Sequence, residues 1–210
     1  MTLENCSNIF DKEFSQKNVL YYPWVGKDYC KTSPKVLIVG ESHYYSPNLI
    51  DDPVSKTKVD NDHNFTRDCF LEQYNVYSNT QAVLSNNLID NEYIANKIVF
   101  YNFFSHCVGY GASDEQFVKE YLDESRELFY TILDIVKPQI VFVWGTSEMW
   151  GWMPQDSCCL FDYDSKNYRY EKYPDIDIIH VVHPSRDKDL CYTAKTIKNF
   201  FEKNKFKYPL

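Results

Sequence analysis

Three short stretches hold side chains able to move a proton or read a polar edge. Gly40-Glu41-Ser42-His43-Tyr44 lines up a carboxylate, a hydroxyl, an imidazole and a phenol in consecutive positions. A carboxylate such as Glu41 serves as a general base or holds a water for attack. The same residue type also caps helices or pairs with lysine. Asn102 offers two donors and an acceptor, which suits reading an amide-like ring edge. A strand-ending Asn that bonds its own turn is the plainer alternative. In His183-Pro184-Ser185, a neutral imidazole can donate to a carbonyl oxygen that gains charge in a transition state. There Pro184 turns the chain and Ser185 suits the N-cap of a following helix.

Each stretch follows an apolar run. The runs are 35–40, 97–102, 139–145 and 176–183, rich in Val, Ile and Phe. The first and third lack polar alternation, as do strands buried on both faces of a parallel sheet. Ser113 to Gln116 forms a capping-box pattern. Phe117, Tyr121, Leu122, Leu128, Phe129, Ile132, Leu133 and Val136 follow at helical spacing, and Pro138 stops the run. A second amphipathic helix is expected over 189–203. Residues 160–173 read as a hairpin around 164–167, and 41–96 as short helices and loops. Alternating strands and helices predict an α/β fold of three layers, αβα, around a four-stranded, mostly parallel central sheet. A helical extension over 1–33 and a core over 34–203 make one domain. In such sheets ligands bind beyond the carboxyl ends of the strands. All three polar stretches fall there.

The 210 residues carry a formal charge of -8, which argues against a non-specific nucleic-acid coat. The seven Cys are scattered, with no CxxC pair, so a zinc ribbon is not expected. No leader-like or membrane-spanning run is seen, and a cytoplasmic protein with reduced thiols is expected. The acidic stretch from Asp60 to Asn64, with His63, matches no ligand template, and no metal is expected. His106 and Cys107 read as structural. Trp144, Trp150 and Trp152 suit base stacking or, more simply, a packed core edge.

Taken in order, the motifs resemble the uracil-DNA glycosylase superfamily. Val36-Leu37-Ile38-Val39-Gly40-Glu41-Ser42-His43-Tyr44 looks like its first motif. Val99-Phe100-Tyr101-Asn102 is similar to its strand ending in a base-reading Asn. The run 138–145 resembles its third strand, and Val181-Val182-His183-Pro184-Ser185 the start of its last motif. The resemblance covers roughly 34–203. It implies that Glu41 positions a water, Asn102 recognises a base edge, and His183 stabilises charge on a pyrimidine carbonyl. It further implies that Ser42, His43, Tyr44 and Ser185 border the base, that Tyr44 or Phe65 stacks on it, and that Arg186 meets nucleic acid. The implied activity is hydrolysis of the N-glycosidic bond of a flipped or free nucleobase, with DNA or a nucleobase-containing small molecule as partner. No cofactor is implied, since the iron–sulfur cysteines of the branch with the nearest first motif have no counterpart. Ser42 stands where another branch has an Asp, His43 where a Pro is usual, and Arg186 where a Pro-Leu wedge begins.

Two other readings stand beside this one. A binding module could keep the fold without the chemistry. A flavodoxin-like serine esterase would use Ser42 as nucleophile with Asp177 and His180. Those two lie three apart in a predicted strand, so they would face opposite sides.

Overall fold

The computed structural model describes residues 2–44, 53–72, 75–85, 94–108, 115–145, 147–155, 158–162, 167–183, 186 and 191–206. The four apolar runs become β2 (Val36–Gly40), β4 (Ile98–Asn102), β6 (Ile140–Trp144) and β9 (Tyr173–Val181). They pair in parallel in the order β4-β2-β6-β9. All residues of β2, β4 and β6 are buried, as expected of strands covered on both faces.

The sheet is wider than the four strands expected. It has seven among the described residues. β1 (Trp24–Val25) adds antiparallel to β4, so the first 33 residues bring an edge strand as well as helix. On the other side, β7 (Cys158–Asp162) and β8 (Asn167–Tyr170) form the expected hairpin, which continues antiparallel onto β9. A separate two-stranded ribbon joins β3 (His43–Tyr44) to β5 (Cys107–Val108), beyond the ends of β2 and β4.

Alternating side chains feed two apolar layers. Leu37, Val39, Val99, Val141, Val143 and Ile178 face one side. There they meet Phe14 of α1 (Asp11–Gln16) and Phe129, Ile132, Leu133 and Val136 of α5 (Glu115–Val136). Met149 of α6 (Ser147–Trp152) joins the same layer. Val36, Ile38, Ile98, Phe100, Ile140, Phe142 and Ile179 face the other side. They meet Phe70 of α3 (Phe65–Leu71), Tyr77, Val83 and Leu84 of α4 (Asn75–Leu84), and Ile197, Phe200 and Phe201 of α7 (Cys191–Lys203). The short helix α2 (Pro53–Asp60) precedes α3. The helices expected near 117–136 and 189–203 are thus α5 and α7. The capping residue Ser113 and positions 187–190 lie outside the described residues.

Arg67 ties α3 to the N-terminal segment. Its buried guanidinium donates to both carboxylate oxygens of Asp11, at 3.0 and 2.5 Å, and its Nε donates to Pro23 O at 3.1 Å. α5 ends on Lys137, which holds φ at 50°. A side chain is strained there and glycine is not. Lys137→Gly should therefore stabilise the protein by roughly 1 kcal/mol. The check is the urea midpoint at unchanged slope.

Candidate functional site

The strand ends and the ribbon build the candidate site at the carboxyl edge of the sheet. The connections leaving β2 and β6 run to opposite sides here, and such a switch point opens a crevice in α/β sheets. Residues 41 and 42 break the strand between β2 and β3. The break matters because Glu41 and Tyr44, three apart, would face opposite ways along one regular strand. Instead the Tyr44 phenol donates to Glu41 Oε1 at 3.1 Å. The neighbouring chain holds the bend, since Phe103 N donates to Gly40 O and Phe104 N to Glu41 O, each at 2.9 Å.

Tyr44 is 40% exposed, one of three large apolar or aromatic side chains singled out as exposed among the described residues. Burial of its hydroxyl, more than the adjacent Glu41 carboxylate, pushes its pKa up to about 12, so it stays a donor at neutral pH. Ser42 is buried, and its hydroxyl has no hydrogen-bond partner among the described residues. Phe65, the other candidate stacking ring, instead packs on His43 at 5.0 Å and on Tyr21 at 5.4 Å. The structure therefore offers Tyr44 as the free aromatic face.

His43 and Asn102 come together beneath this surface rather than on it. Both are buried. Asn102 Nδ2 stands 3.1 Å from each ring nitrogen of His43, and His43 Nε2 lies 2.8 Å from Thr66 Oγ1. A proton on Nε2 lets the ring donate to Thr66 while Nδ1 accepts from Asn102. Burial holds the His43 pKa down to about 3, so the ring is neutral. Tyr21 meets it edge-on at 5.3 Å and donates to Cys107 Sγ at 3.5 Å. Gly40 completes this layer, for a Cβ there would strike Asn102 Oδ1 and come within 3.0 Å of Phe100 Cζ. Thr66 and Tyr21 did not stand out in the sequence. They lie more than 20 positions from His43, on α3 and in the N-terminal segment, and no local spacing points to either.

His183 lies two residues past β9, half-buried. Burial lowers its pKa, and the nearby positive charge of Arg186 lowers it further. The exposed Arg186 closes a turn back onto it, its N–H donating to His183 O at 2.9 Å. The positive charge of Arg186 also acts, weakly, to lower the Tyr44 pKa. Ser185 and Pro184 lie outside the described residues. One strand, β6, separates β2 from β9. At ordinary strand spacing the backbones of β2 and β9 are about 10 Å apart.

The remaining candidates have structural partners. Trp150 packs edge-on against Tyr168 and His180, and Trp152 against Phe104, as expected of a core edge. His106 stacks on Tyr121 at 4.1 Å, and His63 on Tyr22 at 4.8 Å. Among the described residues, no three His, Cys, Asp or Glu side chains group as metal ligands. Asp177 bonds Arg169 Nε at 2.6 Å, while His180 pairs in register with Val143 and meets Tyr168 and Trp150. The two do face opposite sides of the sheet. A groove of about 230 Å³ between α1 and α5, lined by Glu13, Gln16, Lys17, Thr131, Asp134 and Ile135, lies beside the last turns of α5. No helix of the described residues is long and apolar enough to cross a membrane. No protein-family model matches the chain, and no curated protein matches it.

Proposed function

We propose that the carboxyl edge of the sheet binds a nucleobase and hydrolyses its N-glycosidic bond, with Glu41 holding the attacking water. One observation carries this reading. A carboxylate oriented by a phenol (Glu41 with Tyr44) and a neutral imidazole (His183) lie past the ends of β2 and β9, two strands separated by β6 alone.

The chemistry follows from the charges. As the glycosidic bond breaks, the leaving base gains negative charge on its carbonyl oxygens and the sugar gains positive charge. The carboxylate of Glu41 stabilises the sugar and accepts the proton of the attacking water. His183, kept neutral by burial and by Arg186, donates a hydrogen bond to the base without releasing a full proton. Tyr44 offers its ring to the base or sugar face and keeps Glu41 in place. Asn102 and His43 act through the backbone they hold, since both are buried behind that surface.

The partner is a nucleobase carried by DNA or by a small molecule, and Arg186 supplies the exposed cation at the mouth. The test is release of free base from uracil-, hypoxanthine- and alkyl-base-containing oligonucleotides and from nucleosides. Wild type should release one of these bases, and Glu41→Gln should lower the rate about 10²–10⁴-fold. No release from any of them, or equal rates for both proteins, would remove the hydrolytic reading. Base binding without release would leave a non-catalytic nucleobase-binding module of the same fold.

A further inference from the structure

The opposite, amino-terminal edge of the sheet collects positive charge in a chain whose formal charge is -8. Lys35 leads into β2, Lys97 into β4, and Lys137 links α5 to β6. Backbone contacts bring the remaining lysines to the same edge. Asp28 N donates to Asn96 O at 2.8 Å, which sets Lys27 beside Lys97. The Tyr29 hydroxyl donates to Val136 O at 3.1 Å, which sets Lys31 near Lys137. Gln139 N donates to Lys35 O at 2.9 Å and closes the row. Lys27, Lys31 and Lys137 are exposed, and Lys35 lies over the Tyr29 ring. The carboxylates along this edge, among the described residues, are Glu4, Asp28, bridged to Lys31 at 3.3 Å, and at the start of β9 the exposed Asp175 and the half-buried Asp177, the latter paired with Arg169. The end of α5 accounts for the sign of Lys137. Lys27 follows β1, not a helix.

A complementary surface lies on the same chain. Glu120, Asp123, Glu124 and Glu127 of α5 are all exposed. Their spacing of three, four and seven places them on one face of the helix. The stripe is about 10 Å long. We propose that the lysine edge of one molecule docks the acidic stripe of α5 on a second copy of this chain. At about 0.15 M salt charges act over only about 8 Å, so the matched patches decide the contact and the net charge of each body does not. A short stripe fits that limit. A long polyanion does not, because its flanking phosphates would run across the acidic remainder of the surface. The two patches differ, so the contact is head-to-tail.

Sedimentation velocity at about 0.1 M and about 1 M salt, where charges act over about 10 and 3 Å, reads the association. At the lower salt the weight-average mass of wild type should climb with concentration from 25.0 kDa to and beyond twice that value, since a head-to-tail contact leaves a free patch at each end, and at the higher salt it should not. Lys31→Glu with Lys137→Glu should stay monomeric, and so should Glu120→Lys with Glu124→Lys. An equal mixture of the two reversed proteins should associate again, since each now offers the sign the other lacks. If a reversed protein fails to fold, neutral Lys31→Ala with Lys137→Ala should weaken association at least tenfold. A wild type that stays monomeric at the lower salt overturns the proposal, as does association that ignores these substitutions. Duplex DNA bound at the lysine edge of a monomeric wild type would assign the surface to nucleic acid instead.

Discussion

Moving from pH 7 to pH 4 is expected to cost the fold roughly 3 kcal/mol through His43 alone. The His43 pKa is held down to about 3 by burial, against an ordinary 6.5. Below about 6.5 the unfolded chain takes up a proton that the folded chain refuses until near 3. Stability is therefore intact above that window. Within it, stability falls by about 1.4 kcal/mol for each unit of acidification, then levels off. The hydrogen bonds agree in sign. As the trio is oriented, a proton on Nδ1 would face the Asn102 amide nitrogen, donor against donor. His183, whose pKa is also lowered, adds loss in the same direction. Urea unfolding at pH 7 and about pH 4 checks this. His43→Gln keeps polar atoms near Thr66 and Asn102 but does not titrate, so it should lose less stability on acidification than wild type. Equal losses in the two proteins would show that His43 is not the buried neutral ring described.

Gly40→Ala should cost about 2–3 kcal/mol, since its Cβ enters a packed layer that has nowhere to expand. The atom it strikes first is Asn102 Oδ1, and Phe100 Cζ stands 3.0 Å away. Relief requires Asn102 to turn, which breaks its contact with His43. The melting temperature should fall by roughly 5–10 °C for a chain of this size. The double variant Gly40→Ala with Asn102→Ala should recover part of that loss, because the second change removes the obstructing atom. Melting of the wild type, both single variants and the double variant gives the coupling. Strictly additive losses would mean that Gly40 and Asn102 do not share this layer.

The parallel centre of the fold was legible because three of its four strands, β2, β4 and β6, are buried throughout. Such strands are written as unbroken Val, Ile and Phe runs, and nothing else in the chain imitates them. The hairpin around 164–167 was legible from its polar turn between alternating residues. β1 was not, since two residues, Trp24 and Val25, carry no periodicity, and only pairing with β4 makes them a strand. β7 and β8 were read as a hairpin but not as sheet, because joining β9 is a tertiary choice.

The site divides the same way. Strand ends told where to look, and Glu41, Tyr44 and His183 lie at that edge. Side-chain direction was not legible there. Residues 41 and 42 break the strand, so parity could not say that Tyr44 would reach Glu41 while His43 turned inward. Asn102 was read as an edge-reading amide, yet its Oδ1 lies against Gly40 and its Nδ2 against His43. The partner that explains this inward turn, Thr66, belongs to a helix with no signal linking it to β3.

The most direct test of a nucleobase site at the carboxyl edge is a titration of the ¹⁵N-labelled protein with uracil, hypoxanthine and thymine, read by amide chemical shifts. Shifts should concentrate at Glu41, Ser42, Tyr44, His183 and Arg186 for at least one base, with those of α5 unchanged, and Tyr44→Ala should weaken binding. Saturating base that moves none of these amides, or moves instead those lining the groove between α1 and α5, would contradict the account.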